Sequence, residues 1–209
     1  MTDRRALDAG GHRAGVLAQI RAAVAAGVDW VQIREKDLTA RELLAMTREA
    51  VRVAAENGEA RVIVNDRLDV ALAAGAAGVH LGGESLPARE AVRWCRQGNA
   101  PEDFLIGISC HALEQAREAE DAAASYVFFG PVFDTPAKRR FGQPQGVSKL
   151  AEVCRTVRIP VIAIGGITEQ NALECFRAGA AGVAAIRLFQ ELRDAAELKR
   201  VIDRLRDAR

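Results

Sequence analysis

The chain has 209 residues, is 49% hydrophobic and carries a formal net charge of +1, which suits one substantial core and most simply a single domain over 1–209. So even a charge balance gives no electrostatic case for bulk nucleic-acid binding, and no apolar run approaches the roughly 20 residues of a membrane helix. No basic-then-apolar signal segment opens the chain, and Cys95, Cys110, Cys154 and Cys175 form no CxxC pair, which argues against a disulfide framework or structural zinc and suits a reducing cytoplasm.

Taken in order, Thr2-Asp3-Arg4 resembles the polar end of a strand that lacks its apolar body, and a helix is expected from Ala14 to Ala25. Val28-Asp29-Trp30-Val31 reads as a buried strand running into Gln32-Ile33-Arg34-Glu35-Lys36. Alternation along a strand turns Gln32, Arg34 and Lys36 the same way. Cations do not gather on an inner face for packing, because unpaired buried charge is expensive, so this group is expected to meet an anion. A helix from Arg41 to Glu56 and a strand from Arg61 to Asn65 follow. Asp66, which closes that strand, suits either a magnesium ligand or the N-cap of a helix starting near Leu68.

A short phrase then recurs. Ala26-Gly27 before Val28 is echoed at 74–81, 122–129 and 178–185, each time as the small-residue end of a helix, a turn and an apolar strand. Further strands are expected at 104–109 and 160–165, with helices at 87–96, 113–123, 149–157, 169–178 and 195–205. Strand and helix in alternation, with continuously apolar strands, mean a parallel sheet covered by helices. The repetition, without a GxGxxG turn, favours a (β/α)8 TIM barrel over an open doubly wound sheet. Seven strands are counted, so the first barrel strand is expected to be truncated in this sequence, since a real gap would leave two unpaired edges.

In such barrels the chemistry sits at the C-terminal ends of the strands. Those ends present Gln32, Arg34 and Lys36; Asn65-Asp66; His80, then Gly82-Gly83-Glu84-Ser85; Ser109-Cys110-His111; a long loop from Val132 to Val147 containing Thr135 and Lys138; Gly165-Gly166-Ile167-Thr168; and Ile186-Arg187. This is the pattern of a site for a highly charged ligand. The glycine pair before a helix suits phosphate, with Thr168 as N-cap. His111 can move protons near neutral pH, His80 reads as an inward-facing layer residue, and Cys110 beside His111 is not a dyad, because neighbours on a strand face opposite ways. The Pro- and Gly-punctuated basic loop suits a lid in which Lys138 functions.

Gln32-Ile33-Arg34-Glu35-Lys36, Val64-Asn65-Asp66, Val79-His80-Leu81-Gly82, Gly130-Pro131-Val132-Phe133, Gln145-Gly146-Val147 and Ala163-Ile164-Gly165-Gly166-Ile167-Thr168, in this order, resemble the thiamine phosphate synthase family from about Ala26 to Arg187. The resemblance implies a (β/α)8 barrel that joins hydroxymethylpyrimidine diphosphate to a thiazole phosphate, giving thiamine phosphate and diphosphate, with Mg2+ on the leaving group. It implies that Gln32, Arg34, Lys36 and Asn65 clamp the pyrimidine diphosphate, that Ser109 and Lys138 touch the same diphosphate, and that Asp66 serves the magnesium. Thr135 and Gly166, with backbone at Ala185-Ile186, fall on the thiazole-phosphate side. The family usually reads His-Leu-Gly-Gln-x-Asp after the fourth strand. Here Gly83 and Ser85 replace the Gln and the Asp, which leaves Glu84 as the substitute metal ligand. Ala137 and Arg187 also depart from common family residues. The losses keep open a thiazole tautomerase of the same superfamily, using His111, and a non-catalytic protein that binds thiamine precursors. Small-molecule substrates are the expected partners, without nucleic acid or membrane, in a chain that is compatible with a homo-oligomer.

Overall fold

The computed structural model of the protein describes residues 1–6, 13–135, 143–190 and 195–208. It is an α/β structure that divides into two compact units, Met1–His80 with Ile186–Arg204, and Leu81–Ala185 with Leu205–Arg209. Within each unit the strands are parallel and follow the order of the chain.

In the first unit, α1 (Arg13–Ala26) leads to β1 (Trp30–Ile33), α2 (Ala40–Asn57) to β2 (Arg61–Asn65), and α3 (Leu68–Ala74) to β3 (Gly78–Leu81). Gln32 pairs with Ile63 and Asn65 with His80 in register. The strand expected from Val28 begins two residues later. The Val28 amide still donates to the Ala23 carbonyl at 3.1 Å, closing α1, so it cannot enter the ladder. Helix α2 starts in a capping box between Thr39 and Glu42 and buries Leu43, Met46, Ala50, Val53 and Ala54. The Ile186–Arg204 part of the unit contributes α8 (Arg187–Gln190) and most of α9 (Ala195–Asp207). Leu198 and Ile202 of α9 pack on Ala26, with Phe189 alongside. Among the described residues before α1 no strand is assigned, but the Thr2 amide donates to the Gln32 carbonyl at 2.8 Å.

The second unit runs α4 (Ala88–Trp94) with a π-turn over Cys95–Asn99, β4 (Leu105–Cys110), α5 (Leu113–Asp121), β5 (Tyr126–Phe129), α6 (Gly146–Thr156), β6 (Val161–Ile164), α7 (Glu169–Arg177) and β7 (Gly182–Ala184). Ile186-Arg187, expected at the end of the last strand, instead enters α8.

Cross-strand packing explains one residue choice. Gly107 of β4 stands opposite Tyr126 of β5, whose buried ring lies across it. A Cβ at Gly107 would sit 2.1 Å from Tyr126 Cζ. Overpacking of this kind costs about 1–3 kcal/mol. Gly107→Ala will therefore lower the urea midpoint of unfolding, and pairing it with Tyr126→Phe will not recover the loss, because ring carbons Cζ and Cε2, at 2.1 and 2.5 Å, still fill the space once the hydroxyl is gone.

Candidate active site

The first unit carries the cation-bearing strand end. Strand β1 stops at Ile33, so alternation holds only as far as Gln32, while Arg34 follows the strand and Lys36 lies exposed in a turn. The shared face expected for Gln32, Arg34 and Lys36 is thus corrected: Gln32 is a rung of β1, whereas Arg34 and Lys36 lie past its end. Gln32 is 5% exposed, yet neither its Oε1 nor its Nε2 has a hydrogen-bond partner among the described residues. A buried amide left without partners is costly in a folded protein and is a ready contact for a polar ligand. The guanidinium of Arg34 and the ammonium of Lys36 have no ion-pair partner among the described residues. Glu35, between them, is buried.

At the end of β2, Asn65 is half-buried and Asp66 exposed. Asp66 does not cap α3: that position belongs to Arg67, which makes no side-chain cap bond and instead pairs with Asp69 at 2.6 Å. Asp66 sits at φ 69°, in the left-handed region that few side chains adopt, and its amide donates to the His80 carbonyl at 2.8 Å. Among the described residues the carboxylate at this strand end makes no hydrogen bond or ion pair, and its neighbour Arg67 pairs with Asp69 instead. His80 is 2% exposed, as expected of a layer residue, and burial pushes its imidazole down to about 3. Ile186, at the start of α8, is half-buried.

In the second unit, the turn after β3 is held by Ser85, whose hydroxyl accepts the Gly82 amide at 2.7 Å. Ser85 is thus occupied in shaping the turn, and Glu84 beside it is exposed. Among the described residues no group of three or more His, Cys, Asp or Glu could hold a metal ion. A magnesium ion needs only one or two protein carboxylates beside phosphate oxygens, and the uncommitted carboxylate of Asp66 fits that demand.

Ser109 is half-buried near the end of β4, and Cys110 is fully buried, with its thiol pushed up to about 12, first by burial. That environment disables it as a nucleophile. His111 is exposed, and its Nδ1 meets the Gly130 carbonyl. A carbonyl only accepts, so Nδ1 is the donor in this contact, and in the neutral ring Nε2 keeps the lone pair. Burial likewise raises the thiols of Cys154 and Cys175 to about 11 and raises that of Cys95.

The glycine turn has a second purpose that sequence alone did not disclose. Gly165 and Gly166 stand at φ 94° and 68°, and a Cβ on them would lie 2.5 Å from Pro131 Cα and 2.6 Å from the Asp134 carbonyl oxygen. Phe133 donates to the Gly165 carbonyl at 3.0 Å. The absence of side chains thus lets the segment 131–134, with half-buried Thr135 next to it, lie against the turn. Thr168 caps α7 through a reciprocal box with Asn171, whose Nδ2 also donates to the Gly166 carbonyl at 2.9 Å. No partner for the Gly166 N–H occurs among the described residues. Cap and anion site are therefore compatible. Ala185, just past β7, is buried. Lys138 and Ala137 fall in 136–142, outside the described residues.

Residues 5–189 match the family model described as thiamine monophosphate synthase. A relative from Roseiflexus sp. (strain RS-1), named thiamine-phosphate synthase, is 44% identical over 186 residues, covering 89% of this chain and 75% of that protein. A protein of the same name from Methanosarcina barkeri (strain Fusaro / DSM 804) is 38% identical over 203 residues, covering 97% of this chain and 89% of that one. Among solved structures, thiamine phosphate pyrophosphorylase from Pyrococcus furiosus matches with a TM-score of 0.84 at 31% identity, covering 99% of this chain and 93% of that one.

Two expectations follow from the geometry. Gly166→Ala will force Phe133 and Asp134 away, and hydrogen exchange at the Phe133 amide will speed up while exchange in β5 stays slow. His80 is neutral in the folded state to about pH 3 but takes a proton near pH 6.5 when unfolded. Its contribution to stability is therefore complete above that unfolded value and declines as pH falls towards the folded one. The slope is up to about 1.4 kcal/mol per pH unit. Urea titrations between pH 7.5 and 5 will show this slope in the wild type, and a shallower one in His80→Gln.

Proposed function

Since the chain belongs to the thiamine monophosphate synthase family, we propose that it joins hydroxymethylpyrimidine diphosphate to thiazole phosphate, releasing diphosphate and forming thiamine phosphate. It is a transferase of thiamine biosynthesis. The observation that carries the residue-level reading is the β1 strand end, where a buried amide without partners is followed by two cations that no described acid neutralises.

In the reaction the bond between the pyrimidine methylene carbon and the diphosphate oxygen breaks, the carbon gains cationic character, and the thiazole nitrogen supplies the electron pair of the new bond. The diphosphate leaves with both electrons of the broken bond. Its charge grows as the bond lengthens, so cations already in place stabilise the transition state more than the ground state. Arg34 and Lys36 take that role, with Lys138 as a third cation. Gln32, Asn65 and Ser109 bind the same substrate. Thr135, the N–H groups around Gly166 and the backbone at Ala185-Ile186 take the thiazole phosphate. Bound Mg2+ would neutralise part of the diphosphate charge. Asp66 would hold it, with Glu84 as the second candidate where the family has an Asp and this chain has Ser85. A single (β/α)8 domain over 1–209, supported by the full-length likeness to the Pyrococcus structure, belongs to the same reading. So does a cytoplasmic location, supported by four free cysteines and by the absence, among the described residues, of a helix long and apolar enough to cross a membrane. Small-molecule substrates are its partners, and nothing in the reading opposes a homo-oligomer.

One observation favours a second activity. His111 has its tautomer fixed by the Gly130 carbonyl, which leaves Nε2 able to take a proton, as a thiazole tautomerase requires.

Incubation with both substrates, with and without magnesium, will give thiamine phosphate and diphosphate in equal amounts, and more slowly without the metal. Lys36→Ala will lower the rate by about 10²-fold or more while thermal unfolding stays cooperative. No turnover, together with tautomer exchange that His111→Ala abolishes, would establish the second activity in its place. Precursor binding without either turnover would make the chain a binding protein.

A further inference from the structure

We propose that Glu35 is a positioning residue: its buried carboxylate, tied to residues 2–4, fixes the direction in which Arg34 and Lys36 leave the strand. The inference rests on the role given above to those two cations.

The local sequence alternates charge, as Arg34, Glu35, Lys36 and Asp37. In an isolated peptide each cation would be neutralised by the acid beside it. In the folded chain both acids are claimed from elsewhere. Asp37 is paired with the guanidinium groups of Arg4 and Arg5, the latter at 2.9 Å. Both oxygens of Glu35 accept the Arg4 amide at 3.1 Å, and its carboxylate lies 3.7 Å from Arg4 Nε. The acids of this segment thus serve the N-terminal arginines, and the two cations that alternate with them keep their charge for another partner.

The same N-terminal residues also hold the backbone. Thr2 donates its amide to the Gln32 carbonyl at 2.8 Å, and its hydroxyl accepts the Arg34 amide at 3.0 Å. A hydroxyl that accepts one bond still has its own hydrogen to give, and Thr2 also hydrogen-bonds the Glu35 side chain. Gln32, Arg34 and Glu35 are therefore each gripped from one short segment. That segment is anchored in turn by Gln190 of α8, whose Nε2 donates to the Asp3 carbonyl at 3.1 Å. Burial raises the Glu35 carboxyl, an effect the bonds from Thr2 and Arg4 oppose. Burying a carboxylate is expensive even when it is bonded, and an apolar residue would usually be no less stable. What an apolar residue could not supply is a directional tie that stops the strand end from swinging.

The test is a double-mutant cycle of Glu35→Gln and Arg34→Ala, read as single-turnover rates with both substrates, where slow variants remain measurable. Glu35→Gln alone will slow the pyrimidine diphosphate step about 10- to 100-fold, the penalty of a cation displaced by the order of an ångström. The KM for thiazole phosphate will stay within about twofold, because other residues bind it. In the Arg34→Ala background the same substitution will cost much less, since most of what it positions has gone. Equal losses in the two backgrounds would overturn the proposal, because a purely structural residue acts alike in both. Thr2→Val leaves the carboxylate and its bonds to Arg4 in place and removes the two ties made by the hydroxyl. It will give a smaller loss in the same direction, and it carries the cycle if Glu35→Gln does not fold. If the wild type turns over neither substrate, the proposed synthase activity fails, and the cycle is repeated on binding of inorganic diphosphate. Non-additive weakening there upholds the positioning role, and additive weakening ends it.

Discussion

A parallel strand covered on both faces has nowhere to put a charge. Each strand here is three to six residues long, and β3 and β5 are buried at every position. Charged and hydrogen-bonding groups are therefore confined to the places where the strands stop, and the connections that follow must carry the chemistry. His80 shows the constraint by being its exception: it stays inside β3 only as a neutral ring, at the cost of a depressed proton affinity. The polar character of the strand ends is a by-product of strands too short and too enclosed to tolerate anything else.

Much of this was legible in the sequence because the relevant signals are local. The small-residue phrase repeated before β1, β3, β5 and β7, the capping threonine ahead of α7 and the glycines before it all act within a few residues of themselves. Helix α7 and the strand 161–164 fall within a residue or so of where periodicity puts them. Failures came where a distant segment decides. Alternation carried past Ile33 put Lys36 on a strand face, although the strand ends at Ile33, where the Arg34 amide donates to the Thr2 hydroxyl, and a turn follows. Glu35 looked like an ordinary acid between cations, because nothing near it says that Thr2 and Arg4 will close over it. The glycine pair was read for what it offers an anion, whereas the approach of Pro131 and Asp134 depends on residues more than thirty positions away.

The departure at Ser85 is also clearer in three dimensions. A serine hydroxyl that accepts the Gly82 amide stabilises the turn locally, in the manner of an ST-motif. The turn therefore keeps its shape without a carboxylate at that position. Asp66 makes the complementary point. Its left-handed backbone and the lack of any cap bond to α3 give a strand end whose conformation costs free energy without returning local stability.

The cysteines have a consequence for work on the molecule. All four thiols are held above their ordinary acidity range by burial, and only Cys154 is even partly reachable. At neutral pH the native chain should be almost inert towards maleimides and iodoacetamides. A single cysteine introduced at an exposed position such as Glu84 would then be the one fast-reacting thiol. A fluorophore or spin label placed there could follow the turn after β3 without first stripping the protein of its own sulfur.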